Sequence, residues 1–126
     1  MVRLGALALA LLLSAPPAWE LVGRLGRVRT VYVDSSRIQD KQLLASIVSA
    51  ILAEEGREKP VEIGFFVDRA YTPRTLPYPP GHKPHYRAKY NWIPAKQASR
   101  FVRLEPKDAK QPHGALKEIE ESLPLP

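Results

Sequence analysis

"DKQLLASIVSAILAEEG", residues 40–56, decides how the rest of the chain must be arranged. Leu44, Ile47, Val48 and Ile51 fall at helical spacing, and Leu43 and Leu52 widen the apolar stripe. Ser36 or Asp40 supplies an N-cap ahead of the run, and Gly56 is placed to end it. A helix of this length is marginal alone in water. Burying its six large aliphatics, at roughly 1.5–3 kcal/mol each, offsets that cost, so the helix needs a sheet to lie on.

Strand patterns flank it on both sides. "RVRTVYVD" (27–34) sets Val31 and Val33 against Thr30 and Tyr32, the alternation of a strand. "VEIGFFVD" (61–68) is an almost continuous apolar run, which predicts a strand covered on both faces. Strand, helix and strand form a right-handed βαβ unit with parallel strands. Residues 19–26 read as a short lead-in. "YTPRTLPYPPGHKP" (71–84) carries five prolines and reads as an extended surface loop. "SRFVRL" (99–104) is the third strand, and "HGALKEIEESL" (113–123) spaces Leu116, Ile119 and Leu123 for a short C-terminal helix.

"HKPHYRAKYNWIP" (82–94) fits two periods. Lys83, His85, Arg87, Lys89 and Asn91 alternate with Pro84, Tyr86, Ala88, Tyr90 and Trp92, as in a strand. A helix also fits, with Pro84 in its first turn and Tyr86, Tyr90 and Ile93 on one face. "FFVD", a proline-containing loop and then "AKYNWIPAKQASRFVRL" (88–104) resemble a group of small exported bacterial domains of unknown function, over roughly residues 28–104. Ile93–Gln97 stand where those domains carry an Asn-Pro-x-Thr-Gly kind of turn. The resemblance implies a helix over 83–91 and brings no catalytic residues. The expected fold is α/β: a small single-layer sheet of about three strands in β-α-β-α-β order, one long helix packed on it, and a short C-terminal helix.

At 126 residues the chain has room for one domain, and 25% charged with 44% hydrophobic residues is globular composition. A net charge of +6 and a pI near 9.8 favour anionic partners. "MVRLGALALALLLSAPPAW" (1–19) has one Arg, an apolar run from Leu4 to Leu13, then small residues and prolines, the layout of a secretory signal over residues 1–18. The run is about half of the ~20 residues that span a bilayer, so no transmembrane span is expected. The chain has no cysteine, which excludes a lipoprotein, disulfides and Cys-based zinc sites. The mature chain, residues 19–126, is expected in the periplasm or outside the cell.

Between Arg69 and Leu104 there are eight Lys or Arg residues and no acid, interleaved with aromatic rings. Basic heads attract anions while rings stack on bases or sugars. The expected contacts are Lys83, Arg87, Lys89, Tyr90 and Trp92. Export points away from nucleic acid and towards an anionic envelope polymer, lipid or acidic protein. In the competing arrangement the tyrosines and Trp92 pack inward and only the basic heads stay in water.

A second constellation is the pair of strand endings "VYVD" and "FFVD". If those strands are parallel, Asp34 and Asp68 share the carboxyl edge, where two carboxylates can hold a metal or share a proton. That is the alternative reading, a small metal-dependent or acid–base hydrolase. Asp after a strand is also an ordinary turn residue. His82 and His85 are a weak metal pair, because Pro84 lies between them. No cofactor motif is present. The expected role is a non-enzymatic binding module using the basic, aromatic surface 69–104.

Overall fold

Asp40 opens the central helix, its carboxylate accepting the Leu43 N–H at 3.1 Å. The helix, α1, runs Lys41–Glu55 and ends at Gly56, whose N–H donates to the Leu52 carbonyl. Its buried face is Leu44, Ala45, Ile47, Val48, Ile51 and Leu52: five of the six aliphatics read from the sequence, with Ala45 added and Leu43 only partly buried. The computed structural model describes residues 17–125; most of the expected export signal (1–18) lies outside the described residues.

α1 rests on a mixed six-stranded sheet: β1 (Trp19–Leu25), β2 (Val28–Val33), β3 (Val61–Phe66), β4 (Tyr86–Ile93), β5 (Ala98–Pro106) and β6 (Leu116–Glu121). Spatial order follows chain order, β1-β2-β3-β4-β5-β6. Only β2 and β3 are parallel, with Val28 opposite Glu62 and Tyr32 opposite Phe66; every other neighbour is antiparallel. The parallel pair is therefore directly adjacent, joined through α1.

This corrects the three-stranded expectation in three places. The lead-in is edge strand β1, hydrogen-bonded to β2. The expected helix over 83–91 is one 3-10 turn, Lys83–His85, followed by strand β4, so the period of two prevails. It prevails because alternate residues Ala88, Tyr90 and Trp92 all reach the core that α1 covers. The expected C-terminal helix is strand β6. Pairing with β5 sends Leu116 to one face of the sheet, opposite Pro106, and Ile119 to the other, opposite Arg103.

The helix-side core gathers Val31, Val33, Ile63, Phe65, Tyr90 and Phe101 beneath α1. Arg29 ties the end of the helix to β2, its guanidinium meeting both Glu55 oxygens at 2.6 and 3.0 Å. The opposite face is covered without a helix. After β3 the chain crosses the sheet as a proline-rich strap, residues 67–85, and returns to β4. The Val67 N–H donates to the His85 carbonyl and closes its base. Thr72 is buried and Pro73 accepts the Thr30 hydroxyl at 2.6 Å. Tyr78 lays its ring edge-on against Phe66 at 5.7 Å, and Phe66 stacks on Tyr86 at 4.5 Å.

Two glycines let the strap come this close. A Cβ on Gly23 would collide with the Thr30 hydroxyl and lie 2.7 Å from the Pro73 carbonyl oxygen. A Cβ on Gly64 would sit 3.1 Å from the Phe66 ring and 3.3 Å from the Tyr86 ring. The 71–84 segment is thus a covering layer pressed on the sheet, with an outer surface of its own.

Candidate interaction surface on the proline-rich strap

The sheet divides the eight cations of residues 69–104 into two sets. Arg69 pairs with Glu20 at 2.8 Å, Lys89 with Glu118 at 2.9 Å, Arg100 with Glu118 at 3.0 Å and Arg103 with Glu121 at 3.3 Å. Arg103 is buried and also donates to the Ile38 carbonyl at 2.6 Å. Arg74, Lys83, Arg87 and Lys96 have no acidic partner among the described residues. The acid-free segment therefore borrows its counter-charges, mostly from β6.

The expected contact residues separate in the same way. Lys83 and Arg87 are exposed, while Lys89 is half-buried in its ion pair. Tyr90 and Trp92 are core residues, 1% and 8% exposed, and Tyr86 is buried as well. Trp92 donates its indole N–H to the Arg57 carbonyl at 2.9 Å, with the Arg57 guanidinium 5.6 Å above the ring. No base or sugar can stack on these rings, because the alternation that made them look like an interleaved surface turns them inward.

Among the described residues, the large apolar side chains that face solvent are Tyr71, 46% exposed, and Leu76, 55% exposed, both on the strap. Tyr71 stacks on His85 at 4.4 Å. Two clefts flank the Pro79–His82 ridge. One, about 390 Å³, is lined by Tyr71, Pro73, Arg74, Thr75, Pro79 and His82. The other, about 360 Å³, is lined by Tyr78, Gly81, His82, Lys83 and His113. Each cleft thus holds one unpaired cation. The sequence signals for this surface are glycine inside a strand, which marks close approach of another backbone, and proline repeated in the loop that approaches.

His82 and His85 face different partners. The His82 Nδ1 lies 2.8 Å from the Pro79 carbonyl oxygen, and its ring meets Tyr78 edge-on at 5.1 Å. Among the described residues no three His, Cys, Asp or Glu side chains group as a metal site. Asp34 and Asp68 do follow adjacent parallel strands, one residue after β2 ends at Val33 and two after β3 ends at Phe66. Each carboxylate turns back on its own loop: Asp34 accepts the Ser36 N–H at 3.1 Å and Asp68 the Ala70 N–H at 2.9 Å. Arg37 and Arg69 bind elsewhere, to Asp40 and Glu20.

Beneath the strap the Tyr78 hydroxyl is buried without a hydrogen-bond partner. It faces the Tyr86 hydroxyl closely enough for each to influence the other, but not in bonding geometry. Burial, with the nearby Glu62 carboxylate, pushes the Tyr78 phenol up to about 12. Burial and the same neighbours raise Tyr86 further. These are poor phenolates, and their place is structural.

No helix among the described residues is long and apolar enough to cross a membrane. No family model, curated protein or solved structure matches the chain.

Proposed function

We propose that the protein is an exported, non-enzymatic binding module that holds an anionic envelope glycan on the outer face of its proline-rich strap. The observation that carries this reading is Tyr71, half exposed beside the unpaired Arg74 on one cleft, with Lys83 on the neighbouring cleft. A solvent-exposed ring can stack on a sugar, and a cation beside it takes the sugar's carboxylate or phosphate. The apolar leader at 4–13 supports export, and the basic pI supports an anionic ligand. Asp34 and Asp68, each bonded to its own loop, are better explained as turn residues than as an acid–base pair.

The test is binding of the chain without residues 1–18 to an anionic polysaccharide across a salt series. Affinity is expected to fall as salt rises, because exposed charge pairs are screened over about 10 Å at 0.1 M. Tyr71→Ala and Arg74→Ala should each weaken binding several-fold, while Lys96→Ala, at the far end of the sheet, should not. Equal losses in all three variants would reduce the surface to net charge. Binding of anionic vesicles or of an acidic protein in place of the polysaccharide would reject the glycan reading.

A further inference from the structure

β6 is the strand least held by burial. Leu116, Ile119 and Glu121 are half-buried, and Lys117, Glu118 and Glu120 are exposed. What it offers its neighbours is charge, on both faces. Towards the strap side, Glu118 takes Lys89 and Arg100 at 2.9 and 3.0 Å, and Glu120 lies 3.7 Å from Arg100. Towards the helix side, Glu121 takes Lys41 and Arg103 at 3.1 and 3.3 Å. These cations hold the Glu118 and Glu121 carboxyls below the usual carboxylate range. Exposed pairs of this kind are individually weak and screened by salt.

Packing along the strand is also incomplete. A groove of about 460 Å³ runs beside it on the helix side, between Tyr90 and Phe101 on one flank and Glu120, Leu123 and Leu125 on the other. With β6 in place the outer ladder of β5 is paired from Phe101 to Pro106, its cations lie on alternating faces, and the chain's own tail only partly fills a groove of mixed polar and apolar lining. A glycan or a nucleic acid matches the charges but not the ladder. A polypeptide strand matches both.

We propose that the β5 edge is an exchangeable docking site for an acidic polypeptide strand, filled by β6 in the free protein and by a partner's acidic strand in the complex. The partner strand carries carboxylates on both faces and is followed by a bulky apolar residue that enters the groove beside Tyr90 and Phe101. The site is separate from the strap and does not rest on its glycan reading.

The probe is a fluorescent peptide of the chain's own residues 116–126, added to the whole chain. Replacing Glu118→Gln, Glu120→Gln and Glu121→Gln together removes the internal competitor's charges. The peptide should then bind about tenfold more tightly than to the unaltered protein. A control of equal net charge, Glu54→Gln with Glu58→Gln and Asp108→Asn, should bind it no better than the unaltered protein. Equal gain in both variants, or equal binding of a peptide with its own three glutamates changed to glutamine, overturns the proposal. Should the triple variant fold poorly, hydrogen exchange on the unaltered protein decides. Amides of β6 should exchange faster than those of β2, and faster still at high salt; equal, salt-insensitive protection in both strands rejects exchange. Tyr71→Ala should leave peptide binding unchanged, which keeps this result distinct from the strap's.

Discussion

The two faces of the sheet are covered by opposite means. On one, α1 buries six side chains, all aliphatic and all at helical spacing. On the other, the strap has no regular element beyond single 3-10 turns at Arg69–Tyr71 and Lys83–His85. It is held by the Thr30–Pro73 hydrogen bond, the Thr72 hydroxyl on the Asp68 carbonyl, and the Tyr78 ring against Phe66. A helix offsets its ordering entropy by burying a continuous stripe. The strap has less to bury and less entropy to lose, because its prolines restrict the unfolded chain beforehand. The lesson is one of division: the apolar face supplies stability, while the strap leaves its outer surface in solvent.

That division can be broken most severely from the helix side. Phe65 is fully buried beneath α1, so Phe65→Ala should cost about 3–5 kcal/mol, the range for a large ring lost from a packed core. Because the strap hangs on the same sheet, both faces should unfold together in one denaturant transition. Separate transitions would show that the strap is held independently of the core.

Gly23→Ala tests the other face with a smaller change. The added methyl meets the Thr30 hydroxyl and the Pro73 carbonyl, neither of which can yield without lifting the strap. Overpacking of this kind costs about 1–3 kcal/mol. Helical circular dichroism should remain, while tryptic cleavage after the exposed Arg74 should quicken. A loss as large as that of Phe65→Ala, with the helix signal gone, would make the strap part of the core and end the contrast.

How much of this was readable in the chain follows the same division. α1, β2, β3 and the parallel pairing were legible because one period of apolar residues decides each of them. β4 carries its signal in the alternation of 83–92, but Pro84, Tyr86, Tyr90 and Ile93 fit a helix as well, and the expected helix over 83–91 is overturned by the strand. β6 hid for a plainer reason. Leu116 and Ile119 stand three apart, which suits one helical face, yet in the strand they serve opposite faces of the sheet. Surface residues were harder still. Tyr90 and Trp92 looked like stacking rings because a strand that alternates cations with aromatics has the same composition whether the aromatics face water or core. Nothing local reveals that α1 lies over them, or that β6 supplies the acids that Lys89, Arg100 and Arg103 find.

The smallest effect is expected at the hydroxyl beneath the strap, where the two coverings differ in chemistry. The helix side buries few polar atoms, while the strap side buries the Tyr78 hydroxyl with no partner. Tyr78→Phe keeps the ring on Phe66 and removes that atom, so stability at neutral pH should hold or rise by up to about 1 kcal/mol. The alkaline limb gives the sharper reading. A phenol has its unfolded pKa near 10, and Tyr78 when folded sits at about 12. Between those values the folded state keeps a proton that the unfolded state has released, so stability is full below about pH 10 and falls as pH rises through about 12. Tyr78→Phe should make that loss shallower, leaving the part due to Tyr86, whose pKa is raised in the same direction. Tyrosinate absorbance followed beside circular dichroism checks it: ionisation of the buried phenols should coincide with unfolding. A Tyr78 that ionises near pH 10 while the fold stays intact would mean that the strap does not seal this face, and the two sides would then differ in tightness as well as in kind.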